Sequence, residues 1–165
     1  MKNRNLDHKN DWATPPYIIK QIEDKFGVEF EFDPCPFMHD TSQWDGLEVE
    51  WGNYNFVNPP YSLKLKTKFV LKGIEEMKKG KTSLFLLPVS TGTKLFHDYI
   101  LPNIDQGKNI WFVKGRIPFI GVNTKGQYVN WHLWDKEPPE DAEQVRNSGM
   151  HDSMIITFSK QPLDF

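Results

Sequence analysis

Cysteine is almost missing from this chain of 165 residues: Cys35 is the only one. A single thiol cannot close an intrachain disulfide, and a reducing compartment suits it. Long apolar runs are missing as well. Nothing approaches the roughly 18 consecutive apolar residues of a membrane helix, and no signal peptide opens the chain. There is no excess of either charge. Twenty basic and twenty-two acidic residues leave a net −2, so any surface for a polyanion has to be local. The five histidines, His8, His39, His97, His132 and His151, show no ligand spacing with one another or with Cys35, so no metal is expected. No internal repeat, low-complexity stretch or glycine-rich phosphate loop occurs, and Gly92 stands alone in a turn.

What remains has the composition of one globular domain. Apolar residues make up 38% and charged residues 25%, enough to bury a single core over residues 11–165. Residues 1–10 are polar and mildly basic and read as a flexible arm. Thr14, Pro15 and the apolar spacing of Ile18, Ile19, Ile22 and Phe26 predict a helix capped by Thr14 and stopped at Gly27. Val28 to Phe32 alternates like a strand and ends at Asp33-Pro34-Cys35-Pro36, which cannot continue a ladder. Tyr54 to Val57 predicts a second strand, and Leu63 to Lys79 a lysine-rich helix. The unbroken apolar run Thr82 to Pro88 predicts a strand covered on both faces. A short helix over Lys94 to Ile100, a strand over Asn109 to Val113 and a last strand over Ser153 to Phe158 complete the pattern. Residues 121–150 look irregular. Alternation of this kind predicts an α/β fold: a mostly parallel sheet with helices on both faces and an antiparallel C-terminal strand pair. In such sheets the segments that follow strands gather on one rim.

The densest chemistry follows the second strand, at Asn58-Pro59-Pro60-Tyr61. The prolines remove two N–H donors, so the Pro59 carbonyl stays outside a regular ladder. Asn58 adds a side-chain acceptor, and Tyr61 a flat aromatic face. Together they suit a planar group that bears an NH2, such as a nucleobase turned out of its helix. Asp33 ends the first strand and is placed to accept from amino or hydroxyl groups, as is Asp45. Thr14 at a helix start suits a carboxylate. A nucleophilic Cys35, after Pro34, is the mark of cytosine C5 chemistry, but a cysteine nucleophile would leave the asparagine–proline clamp without purpose.

These segments resemble, in order and spacing, the phage-type DNA N6-adenine methyltransferase (Dam) family. Asp11-Trp12 with Thr14-Pro15, Phe32-Asp33-Pro34-Cys35, Trp51 before Phe56 to Ser62, Leu86-Leu87-Pro88 and Gly115-Arg116-Ile117-Pro118-Phe119 carry the likeness. The resemblance implies a compact Rossmann-like class I methyltransferase. Its methyl donor would be S-adenosylmethionine, leaving S-adenosylhomocysteine as product. Asn58, Pro59, Pro60 and Tyr61 would be catalytic. Asp11, Trp12, Thr14, Pro15, Asp33, Pro34, Cys35 and Asn58 would hold the cofactor. The partner would be double-stranded DNA, met by Lys64, Arg116, Lys125, Asn130 and Trp131, with residues 121–150 as a target-recognition loop. If phage-encoded, the protein would work in the cytoplasm of a bacterial host. The same motif also serves cytosine N4, RNA and protein glutamine methylation, and a non-catalytic binding module is the alternative of a different class. One departure stands out: only 24 residues separate Asp33 from Asn58, and no glycine-rich loop lies among them.

Overall fold

The computed structural model describes residues 11–161 and 163, so the arm read from residues 1–10 lies outside the described residues. The centre of the fold is strand β2, Thr82–Pro88, with every residue before Pro88 buried. Preceding β2 are helix α1 (Pro16–Phe26), strand β1 (Tyr54–Val57) and helix α2 (Leu63–Lys78). After it come a π-type helical segment (Leu95–Ile100), a one-turn helix α3 (Gln106–Asn109), and strands β3 (Ile110–Phe112), β4 (Gly121–Val122), β5 (Tyr128–Val129), β6 (Gln144–Val145) and β7 (Ser153–Phe158).

The main sheet has the order β1-β2-β7-β3. β1 and β2 are parallel, with Tyr54 opposite Thr82. β7 runs antiparallel to both its neighbours. The sheet is therefore mixed: its C-terminal strand is antiparallel as expected, and one of its three pairings is parallel. The reason is local. β7 arrives from a long irregular segment and not through a helical crossover, and only a crossover forces a parallel partner.

Side-chain alternation then assigns the layers. Leu84 and Leu86 point to one face and pack with Ile22 and Phe26 of α1. Phe85 and Leu87 point to the other and pack with Phe69, Val70 and Ile74 of α2. Helices cover both faces, as the unbroken apolar run required. Each fully buried large side chain here contributes roughly 1.5–3 kcal/mol by leaving water.

Three local expectations shift. Thr14 does not cap α1: Pro15 is extended (φ −55°, ψ 139°), Pro16 takes the first helical position, and no side chain caps the end. Val28 to Phe32 is not a full strand. It pairs with β1 through one parallel bridge, Phe32 to Asn55, while the Phe30 N–H is diverted to the Glu23 carboxylate at 2.9 Å. Residues 121–150 are more ordered than they look. β4, β5 and β6 form a small separate sheet over a third core of Ala13, Ile120 and Trp131.

The loop from Asp33 to β1 folds tightly upon itself at Gly46. A Cβ built there would lie 1.8 Å from the Pro34 carbonyl oxygen, so only glycine lets the two backbones meet. The Gly46 carbonyl in turn accepts the buried Trp51 indole N–H at 2.7 Å. Gly46→Ala is expected to destabilise the protein by about 1–3 kcal/mol, as overpacking does, read as a lower urea midpoint. An unchanged midpoint would contradict the close approach.

Candidate active site

β1 delivers Asn58 to the end of the sheet, and Ser62 begins α2 by accepting the Leu65 N–H at 3.3 Å. Asn58-Pro59-Pro60-Tyr61 is thus pinned between a strand and a helix. The Asn58 Nδ2 donates to the Trp12 carbonyl at 2.8 Å. That bond fixes the amide, and Oδ1 has no partner among the described residues. The Cys35 thiol donates to the Asn58 carbonyl at 3.3 Å, which ties the motif to the Asp33 loop. Tyr61 meets Phe119 edge to face, with centroids 6.4 Å apart at 87°. Burial pushes the Tyr61 hydroxyl up to about 12, so it stays protonated at neutral pH and cannot act as a base.

Two carboxylates lie on the Cys35 side. Asp33 accepts the Cys35 N–H at 2.9 Å. Asp11 accepts the Met38 N–H at 2.9 Å, and Met38 takes φ 56° to offer it. Burial raises both acids to about 7, against the relief of those backbone bonds, and the Asp33 charge lifts Asp11 further. Among the described residues no basic side chain pairs with either. A few residues on from Asp11, the Thr14 hydroxyl is buried without a partner among the described residues. Two under-compensated acids and an orphan hydroxyl make a donor set suited to a cationic ligand that carries amino and hydroxyl groups.

On the Tyr61 side lies a largely apolar cavity of about 380 Å³. Trp12, Asn58, Tyr61, Pro88 and Phe119 line it together with Asn130, Asn147, Met150 and His151. Asn130 clasps part of this lining. It sits at φ 58°, a left-handed position that asparagine tolerates. Its Nδ2 donates to the carbonyls of Phe119 (2.9 Å) and Asn147 (2.7 Å), and its Oδ1 accepts the Asn147 N–H at 2.9 Å.

A family model described as DNA N-6-adenine-methyltransferase (Dam) matches residues 2–132. The chain belongs to this Dam family. The DNA N-6-adenine-methyltransferase of Haemophilus phage HP1 (strain HP1c1) is 33% identical to it over 131 residues, covering 74% of this chain and 73% of the phage protein. The Dam match spans Asp11, Asp33, Asn58 to Tyr61 and Phe119, and stops short of β6, the 147–151 turn and β7.

Within this Dam-family chain the structure brings Asp11, Trp12, Thr14, Asp33, Cys35, Asn58 and Tyr61 together. Pro15, Pro34, Pro59 and Pro60 are buried and shape the backbone among them. Lys64 and Lys125 are exposed, as is Arg116, whose Nε lies 3.7 Å from Asp152. Asn130 and Trp131 correct the expectation of two DNA-facing side chains. Asn130 is 2% exposed and spends its bonds internally, and Trp131 is buried with its indole N–H on the Gly121 carbonyl at 3.1 Å. Asp45 caps a turn through the Leu47 N–H at 2.8 Å. Phe119 and the clasping role of Asn130 escaped the sequence reading. Phe119 lay inside a segment already singled out, whereas nothing local marks a buried clasp.

Two outcomes follow from this geometry. Between about pH 4 and 7 the folded state keeps protons on Asp11 and Asp33 that the unfolded chain has released, so stability falls as pH rises through that window. The melting temperature of ligand-free protein is expected to drop from pH 5 to 8, and Asp33→Asn to flatten the drop. An identical slope in the variant would refute the assignment. Asn130→Asp replaces two donated hydrogen bonds by carboxylate–carbonyl repulsion. It is expected to lower stability by about 2 kcal/mol or more in urea unfolding, since buried groups left unpaired cost about 1–3 kcal/mol each.

Proposed function

We propose that this chain methylates N6 of an adenine turned out of duplex DNA into the cavity beside Tyr61, on a compact Rossmann-like class I frame. The reaction class, methylation of adenine N6 in DNA, is that of the Dam family to which the chain belongs. The observation that carries the mechanism is the fixed Asn58 amide. Its nitrogen is committed to Trp12, which presents Oδ1 as an acceptor where the cavity begins. The frame is supported by strand direction: β1, β2 and β3 run one way, β7 runs against them, and helices cover both faces.

The adenine amino lone pair is delocalised into the ring, so N6 is a poor nucleophile. Asn58 Oδ1 and the Pro59 carbonyl accept its two hydrogens. That holds the nitrogen closer to pyramidal and stabilises the positive charge it gains. Tyr61, backed by Phe119, stacks on the ring. Neither oxygen is basic enough to keep the proton that N6 sheds, so it passes to water. No covalent enzyme intermediate is needed, and most of the rate comes from placing the reactants.

The methyl donor of this reading is S-adenosylmethionine, which supplies an electrophilic methyl on a sulfonium when bound. Asp11 and Asp33 would take its amino and hydroxyl donors, the Thr14 hydroxyl would gain the partner it lacks, and the Trp12, Pro15, Pro34 and Cys35 segments would line it. Lys64, Arg116 and Lys125 would meet phosphates and position the duplex without reading it. No helix among the described residues is long and apolar enough to cross a membrane, and no group of three metal-ligating side chains occurs among them. The cytoplasm of a bacterial host is the compartment that fits this reading.

Labelled methyl transfer to DNA, followed by digestion to nucleosides, tests the proposal. N6-methyladenine is the expected product, and N4-methylcytosine would overturn it. Asn58→Ala is expected to lower kcat by about 10²–10³-fold, the usual cost of a lost charge-stabilising partner, with Tyr61→Ala similarly impaired and both proteins still folded. Full activity in both would remove the clamp from the mechanism.

A further inference from the structure

The 147–151 turn carries a side chain that the mechanism above does not use. Met150 is 73% exposed, the most exposed large apolar side chain among the described residues, and it also borders the cavity. Leu63 comes next at 63% but does not line the cavity. A long apolar group standing in water at the mouth of an apolar pocket is out of place unless something apolar arrives to cover it.

Its mounting is built. Gly149 has φ 92°, and a Cβ there would come within 2.5 Å of the Ile117 carbonyl oxygen, so the turn is pressed against the backbone before Phe119. The Gly149 N–H donates to Asn147 Oδ1 at 3.0 Å, and Asn130 holds Asn147 by both its N–H and its carbonyl. Just beyond, the Asp152 carbonyl accepts the Val89 N–H at 2.9 Å, and β7 enters the core. Met150 is thus an exposed flexible tip on a fixed turn, with the exposed Arg116 beside it.

Turning out a base leaves a gap in the stack, and DNA-bending and base-extruding proteins fill such gaps with apolar wedges. We propose that Met150 enters the base stack of the duplex at the position that the target adenine vacates, with Arg116 on an adjacent phosphate. This rests on the reading of the cavity as the pocket for an extruded adenine. Met150 is then a positioning residue for the flipped state. It fills the vacated space on the DNA side while Asn58 and Tyr61 hold the base on the protein side.

The test uses duplexes carrying the sequence that the enzyme modifies, with either thymine or an abasic site opposite the target. A wedge helps most when the base must be pulled from a pair. Met150→Ala is expected to lose about tenfold in kcat/KM on the paired duplex, equivalent to one decade of barrier, and to come within about twofold of the unmodified protein on the abasic one. Met150→Leu, which keeps the apolar bulk, is expected to retain activity on both. Equal loss on the two duplexes, or no loss on either, would overturn the proposal. A second readout needs no turnover: 2-aminopurine in place of the target brightens when it leaves the stack. It is expected to brighten with the unmodified protein and Met150→Leu, and much less with Met150→Ala at saturating protein. Equal brightening with all three would overturn the wedge. Failure of the methylation reading would show separately, as unmodified protein that leaves no N6-methyladenine in either duplex.

Discussion

The hydrogen bond from Asn58 to the Trp12 carbonyl is the contact on which the rest of the site depends. An asparagine amide is nearly symmetric in shape, and either end can face a ligand. Only an acceptor at the end facing the cavity suits an amino group. The bond commits the nitrogen to the protein and so leaves the oxygen as the end open to a ligand. It also joins two distant parts of the chain. Residues 11–13 run past the end of β1, and Ala13 then pairs with Ile120 through bonds of 2.7 and 2.9 Å. The Trp12 ring meanwhile packs on Gly121 so closely that a Cβ there would lie 2.5 Å from it. One strap therefore orients the clamp, walls the cavity and anchors the small sheet.

Electrostatics divides the site in two. On one side Asp11 and Asp33 have no cationic partner among the described residues, and burial disfavours their charged forms. On the other the cavity is apolar, with a tyrosine that stays neutral. Elsewhere the chain handles a buried acid differently. Glu76 is fully buried in α2, yet Lys72 and Lys79 approach its Oε1 at 3.0 and 3.4 Å. Lys72 within α2 and Lys79 at its end are thus counter-ions to a core carboxylate. Asp11 and Asp33 have no such counter-ion among the described residues.

How much of this was legible depended on how local each signal is. The turn Asn58-Pro59-Pro60-Tyr61 could be placed at a strand end because an apolar lead-in and two prolines lie side by side, and β2 because Leu84 to Pro88 are five adjacent apolar residues. The capping of α1 was misread by one position, since two successive prolines moved the helix start past Thr14. The small sheet was illegible: its strands are two residues long, too short for any period, and their pairing hangs on Asn130 in a left-handed conformation. Asn130 and Trp131 looked like surface groups by type. Burial of a polar or aromatic side chain depends on partners such as Asn147 and Gly121, which no nearby residue announces. The nearness of Asp11 to Asp33 was open to resemblance but not to spacing.

The third core has a consequence of another kind. Its aromatic members, with Trp131 stacked on Trp134 at 5.6 Å and Phe37 against both, share no buried residue with the two clusters that hold the main sheet. The small sheet and the main sheet are therefore separately packed, and the strap of residues 11–13 and the Asn130 clasp help to join them. A change within the third core can therefore alter the small sheet while the packing under β2 stays as it is.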